Sequence, residues 1–439
     1  MVKEAAETVE IQEPTNGSTP CRVSRMADKL VGSEILKVAS DIRAMVAEGK
    51  TICNLTVGDF NPAEFRIPEY LEQQIAEAIH KGETNYPPAD GMPPLKKSVI
   101  AFYERHLGLH YSPDSTLVTC GSRPGIYGTY RAVTDPGDRV VYPVPSWNNN
   151  HYVHLVGATG VPVVCKREDA FLPTRKLLEP VIRGARLLSL NSPLNPSGTA
   201  FSQNALEDIC DLVLEENARR SHDERPLYVL FDQVYWMLTF GSTRHFNPVS
   251  LRPEMKAYTI FVDGISKAFA ATGVRVGWVV GPQDVVKKMS AIIAHVGAWA
   301  PRAEQIAVSK LLLNEDVIAA YHATMKEGIR KRLDALHQGI LDLRKQNFPV
   351  DAIPPMGAMY LTVRFALNGK TVKGGESLQT NEDIRKYLLR EAGLAIVPFH
   401  AFGMDDDENG WFRLSVGAVS VKEIEDMMPR LKNALTHVS

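Results

Sequence analysis

Phe261-Val262-Asp263-Gly264-Ile265-Ser266-Lys267-Ala268-Phe269 is the stretch on which the reading of this chain turns. The apolar run from Tyr258 to Val262 reads as a buried strand, Gly-Ile-Ser turns the chain, and Lys267 stands just past the turn. A lysine that emerges from a buried strand end is desolvated, which lowers its pKa and frees its amine as a nucleophile. Such an amine condenses with an aldehyde to form a Schiff base. Eight residues on comes Arg275, flanked by Gly273 and by Gly277-Trp278, whose planar fork of donors suits a phosphate. The pair asks for a ligand with both an aldehyde and a phosphate, as pyridoxal 5′-phosphate (PLP) has. A lone lysine at a turn is more often a solvated surface residue, so the reading depends on the rest of the chain.

Working outward, Pro226-Leu227-Tyr228-Val229-Leu230-Phe231 reads as a second buried strand with Asp232 at its end. In an open α/β sheet, ligands sit beyond the carboxyl ends of the strands. A carboxylate there can pair with a protonated pyridine nitrogen, and Tyr235, three residues on, can reach the phenolic oxygen of the ring. The plainer reading of Asp232 is a helix N-cap. Leu187 to Leu190 leads into Asn191-Ser192-Pro193-Leu194-Asn195-Pro196-Ser197-Gly198. Those are turn residues, but two prolines bracketing Asn195 hold its side chain in place. Leu117-Val118-Thr119-Cys120-Gly121-Ser122-Arg123-Pro124-Gly125 passes from a strand through a glycine turn into a helix. A helix start of this kind is a natural phosphate site.

In order and spacing these four motifs resemble the class I/II aminotransferases of PLP fold type I, the aspartate aminotransferase superfamily. The resemblance is strongest over Ser189–Gly198, Asp232–Tyr235 and Gly264–Trp278 and extends more weakly from about Gly32 to the C-terminus. It implies Lys267 as the Schiff-base lysine, Asp232 as partner of the pyridine nitrogen, and Asn195 and Tyr235 as donors to the ring oxygen. It also implies Trp147 as the stacking aromatic and Ser122, Ser266 and Arg275 as phosphate ligands, with Arg123 beside them. Tyr86 would reach the phosphate of a neighbouring subunit, which makes the protein a homodimer with shared sites. Arg413 would grip the substrate α-carboxylate, and the backbone of Gly58 would meet the same group. Met356-Gly357-Ala358-Met359-Tyr360-Leu361 resembles the strand that opens the small domain's sheet.

The activity this implies is transfer of an amino group between an L-amino acid, of aspartate or aromatic type, and a 2-oxo acid such as 2-oxoglutarate. The alternative is another PLP-dependent lyase or decarboxylase, because the lysine, aspartate and tyrosine serve all of them. A PLP-binding regulator or an inactive relative fits less well, since Lys267 is present and the N-terminal residues leave no room for a DNA-binding domain. Departures from the family pattern bear on substrate choice. Pro124 removes one backbone donor from the phosphate loop, and Arg123 stands where some relatives place a lysine that reads a distal carboxylate. The segment His295-Val296-Gly297-Ala298-Trp299-Ala300-Pro301 offers a histidine where other relatives carry an arginine for that task.

Composition agrees. A chain of 439 residues exceeds one compact core, and a net charge of −2 with 44% apolar residues describes a soluble enzyme. No basic block points to nucleic acid, no apolar run of about 18 residues points to a membrane span, and no metal-binding spacing is evident. The acidic start lacks the apolar core of a secretory signal. Five scattered cysteines without a CxxC pair suit reduced thiols in a cytoplasm.

Residues 1–22 are expected to lack order, and Ser33 to cap a helix over Glu34–Glu48. Helices are expected over Ile67–His80 and Tyr321–Gln346. Seven short apolar strands alternate with helices: Leu117–Cys120, Arg139–Tyr142, Val161–Val164, Leu187–Leu190, Tyr228–Phe231, Thr259–Val262 and Val276–Val280. That alternation predicts an α/β fold with a mostly parallel sheet between helices. The reading places a large PLP domain at 84–312 and a smaller α/β domain at 23–83 with 313–439.

Overall fold

All seven expected strands form, and they pair into one sheet. Its order is Thr116–Cys120, Val276–Val280, Thr259–Gly264, Tyr228–Asp232, Ala185–Asn191, Arg139–Val144 and Thr159–Val164. Every pairing is parallel except those of Val276–Val280, which runs antiparallel to both neighbours. Strands covered on both faces read as continuous apolar runs, and all five residues of Val276–Val280 are buried. This computed structural model describes residues 22–30, 41–42, 45–404 and 410–439. The tail expected to lack order lies outside the described residues but for Arg22. Of the helix expected over Glu34–Glu48, positions 41–42 and 45–47 are described and helical.

A second core surrounds a four-stranded antiparallel sheet ordered Val397–Pro398, Trp411–Ser415, Tyr360–Phe365 and Val350–Ala352. The long helix spans Glu315–Lys345, beginning six residues before the expected start because the Asn314 side chain caps it at Val317 N–H. Glu315 and Asp316 in its first turn and Arg344 and Lys345 in its last complement the helix dipole. Met325, Ile329, Leu333, Leu336, Ile340 and Leu343, three or four apart, form the stripe it buries in that core.

The expected helix over Ile67–His80 forms at Glu69–His80, its start set by Pro68 as N-cap. Although the sequence reading groups it with the smaller domain, it packs on the Arg302–Leu311 helix, and Leu71 joins the core of the large sheet. The short Cys53–Asn54 strand pairs instead with Leu394–Ala395, so the chain that follows it passes beside the small sheet.

Candidate active site

The carboxyl ends of the large sheet open into a cavity of about 510 Å³, closed on the other side by the small sheet. Of the twelve candidate site residues, eleven line it: Gly58, Ser122, Arg123, Trp147, Asn195, Asp232, Tyr235, Ser266, Lys267, Arg275 and Arg413. Asp232 ends its strand, Ser122 and Ser266 each lie within two residues of a strand end, and Asn195 follows Asn191 at the end of another. The strand-end rule of parallel sheets therefore accounts for most of the wall. Arg413 comes from the small sheet. Tyr86 is the exception: it is 82% exposed, outside this cavity, with its ring edge-on to Trp299. His295 is exposed and likewise outside it.

At one end of the cavity, Gly121 adopts a left-handed φ of 76° as N-cap of the Ser122–Val133 helix. A Cβ there would collide with the Arg275 guanidinium, and one at Gly277 would collide with the backbone of Gly121. Arg275, itself at φ 63°, is held by Thr272 O at 2.8 Å and Cys120 O at 2.8 Å. The helix start with its free N–H groups, Ser122, Ser266 and Arg275 make an anion cradle.

In the middle stand Lys267 and Asp232. Lys267 Nζ donates to Gly58 O at 2.6 Å. Burial lowers its pKa to about 8; Asp59 opposes that shift, while Arg413, Arg123 and Arg275 add to it. Burial raises the Asp232 carboxyl to about 7, against the opposing pull of the Val234 N–H bond and Lys267. Asp232 is no helix cap: its Oδ1 accepts Val234 N–H at 3.1 Å within a turn. Asn191 ties this wall together, donating to Asp232 O at 2.8 Å and accepting Asn195 N–H at 2.8 Å.

On the far side, Arg413 is 1% exposed. It donates to Thr56 O at 2.6 Å and Asn195 Oδ1 at 3.2 Å, while its Nε has no partner. Its guanidinium lies 4.8 Å from the Tyr360 ring centroid, and burial lowers its pKa. No carboxylate among the described residues neutralises it, so the cavity holds a desolvated cation ready for an anionic ligand. Tyr235 OH and Tyr360 OH lie 2.5 Å apart, and burial raises the pKa of both. Arg123, exposed at the rim, stands 5.3 Å from the Trp147 ring centroid.

PLP fits this donor set. An anion cradle, a lysine with a lowered pKa, and a desolvated carboxylate line one cavity with an indole and two phenols. Sequence reasoning missed Asp59, Asn191, Thr272 and Tyr360, which also line it. Asn191 and Tyr360 stood inside quoted motifs, but only tertiary contacts reveal what they touch.

The family model for aminotransferase class I and II matches residues 50–431. An aspartate aminotransferase of Rhizobium meliloti (strain 1021) is 32% identical over 410 residues, 93% of this chain and 94% of that protein. The crystal structure of the aspartate aminotransferase from Rhizobium meliloti superposes with a TM-score of 0.86 at 30% identity, covering 95% of this chain and 100% of that one. The Thermus thermophilus aspartate aminotransferase with maleate gives 0.82 at 26% identity, covering 94% and 99%.

Proposed function

This chain belongs to aminotransferase class I and II, and on that footing we propose that it transfers the amino group of a dicarboxylic L-amino acid, aspartate or glutamate, to a 2-oxo acid such as 2-oxoglutarate. One observation carries the substrate class: two guanidinium groups, Arg413 and Arg123, line the same cavity as Lys267, and no carboxylate among the described residues pairs with either. The maleate of the Thermus thermophilus structure, a four-carbon dicarboxylate, supports the same class.

The lining residues would divide the work. Ser122, Ser266 and Arg275 would hold the PLP phosphate, and Asp232 would serve the ring nitrogen. Tyr235 and Asn195 would serve the ring oxygen, and Trp147 would pack on the ring. Bound there, PLP supplies an electron sink for the pair left when a substrate Cα–H bond breaks. Arg413 grips the α-carboxylate beside Gly58, while Arg123 takes the distal one. Lys267 would hold the cofactor aldehyde and, its amine freed when the substrate amine takes its place, would move the substrate Cα proton as base and then acid. A value near 8 suits both tasks at ordinary pH. Tyr360 holds the Tyr235 hydroxyl in place.

Two further parts of the reading concern setting. Tyr86, exposed and outside its own cavity, completes the site of a second copy in a homodimer. A cytoplasmic location agrees with the four cysteines among the described residues, all free, of which Cys53, Cys165 and Cys210 are buried.

Assaying Arg123→Leu against a panel of amino acids with 2-oxoglutarate tests the substrate class. For an arginine exposed at the rim, a bidentate contact with a carboxylate is worth on the order of 1.5–3 kcal/mol. Dicarboxylic substrates should therefore lose roughly 10-fold to 150-fold in kcat/KM, with apolar and aromatic ones spared. An equal loss for all substrates together with weaker PLP binding would assign Arg123 to the cofactor.

A further inference from the structure

Asp59 is a charged wall residue to which the reading above gives no task. Its Oδ1 accepts Phe60 N–H at 2.8 Å and the Thr272 hydroxyl at 2.6 Å. The carbonyl of the preceding residue, Gly58, is the one that accepts Lys267 Nζ. Thr272 is five residues past Lys267, and its own carbonyl accepts Arg275 Nη1 at 2.8 Å. One hydroxyl thus joins the loop that carries Asp59 to the loop that carries Lys267 and Arg275. The Asp59 backbone is itself seated: Asn61 N–H donates to Gly417 O at 3.0 Å, and any Cβ at Gly417 would collide with Asp59 O.

We infer that Asp59, oriented by Thr272, is a positioning residue for Lys267: it holds the free amine against the Gly58 carbonyl and offsets the positive charge of the arginines around it. The inference rests on Lys267 being the cofactor lysine. The other titratable groups lining the cavity with that amine are Asp232 from the large sheet, Arg413 from the small sheet, Arg123 and Arg275 at the cradle, and the hydroxyls of Tyr235 and Tyr360. Asp232 is engaged by the ring nitrogen in the proposed reading, which leaves Asp59 as the counter-charge on the substrate side. Asp59 opposes the lowering of the Lys267 pKa, and the three arginines reinforce it. The consequence has a definite sign. Without the anion, the ammonium form loses support, so the amine sheds its proton at lower pH while losing its fixed place.

The test measures, by mass spectrometry, the rate at which Lys267 is acylated as a function of pH in the full chain freed of cofactor. It compares the native protein with Asp59→Asn, Thr272→Val and Thr272→Ser. A downward shift of about one pH unit raises the free-amine fraction at pH 7 from about one tenth to about one half. Asp59→Asn should therefore label roughly fivefold faster at pH 7 while its kcat/KM falls tenfold or more. Thr272→Val should move both readings the same way by less, and Thr272→Ser should restore them. An unchanged labelling midpoint in Asp59→Asn, whatever its activity, overturns the inference, since loop-packing alone would leave that midpoint in place. If Asp59→Asn does not fold, Thr272→Val decides by the same two readings. The premise is read separately: borohydride treatment of native protein that fixes the cofactor on another lysine refutes the role of Lys267, not the Asp59 contact.

Discussion

Asp232 offers a perturbation whose sign is unusual. Burial raises its carboxyl from 3.8 to about 7, so the folded protein holds that proton more tightly than the unfolded chain does. The group's contribution to stability is then fully present below about pH 4 and is lost as the pH rises toward 7. The gap of about three pH units corresponds to on the order of 4 kcal/mol at roughly 1.4 kcal/mol per unit. Asn in its place keeps an acceptor for Val234 N–H and carries no charge, at the cost of a buried amide with unmet donors. The cofactor-free Asp232→Asn protein should therefore gain roughly 1–3 kcal/mol over native at pH 8 and little or nothing at pH 5. Urea unfolding at both pH values reads this directly. With its ring nitrogen paired to the carboxylate as proposed, PLP should stabilise native protein at pH 8 far more than the variant, and the variant should lose most turnover. A variant no more stable than native at pH 8, or stabilised equally at both pH values, would refute the idea that Asp232 is a desolvated charge awaiting a cationic partner.

Other outcomes follow from the same wall. Arg413→Lys keeps a charge but loses the fork that spans Thr56 O and Asn195. Its kcat/KM should fall by roughly 30-fold to several thousand-fold with PLP binding retained; a loss under about tenfold would move the α-carboxylate contact elsewhere. Sedimentation should find a homodimer, and mixing Tyr86→Phe chains with Lys267→Ala chains should give mixed dimers whose Lys267-bearing site, completed by the native Tyr86 of the other chain, binds PLP as the native protein does and more tightly than the Tyr86→Phe homodimer. A fully active monomer would remove Tyr86 from any shared site.

The large sheet was legible because strands buried on both faces leave uninterrupted apolar runs, and its candidate site residues because they stand where those runs stop. Lys267, Asp232 and Asn195 could be found that way from local sequence. Asp59 and Tyr360 could not. Asp59 meets Thr272 across 213 positions and Tyr360 meets Tyr235 across 125, and no periodicity reports such an approach. Glu69–His80 was assigned to the smaller domain for a related reason. Its amphipathic pattern shows that one face is buried but not which surface buries it, and the Arg302–Leu311 helix that does so lies more than 200 residues away. Helix ends moved by two to six residues where caps, Pro68 and Asn314, overrode the apolar pattern. Arg413 shows a different limit. A charge inside an apolar strand must find a partner, and only the fold shows that its protein partners are a carbonyl and an amide.

The central claim is that Lys267 carries the cofactor, and one measurement addresses it most directly. Protein loaded with PLP is reduced with borohydride, digested, and mapped by mass spectrometry. The account predicts that the cofactor is fixed on the peptide containing Ser266-Lys267-Ala268, with bleaching of the cofactor's visible band, and that Lys267→Ala still binds PLP but is not labelled. Cofactor fixed on a different lysine, or on none, would contradict it.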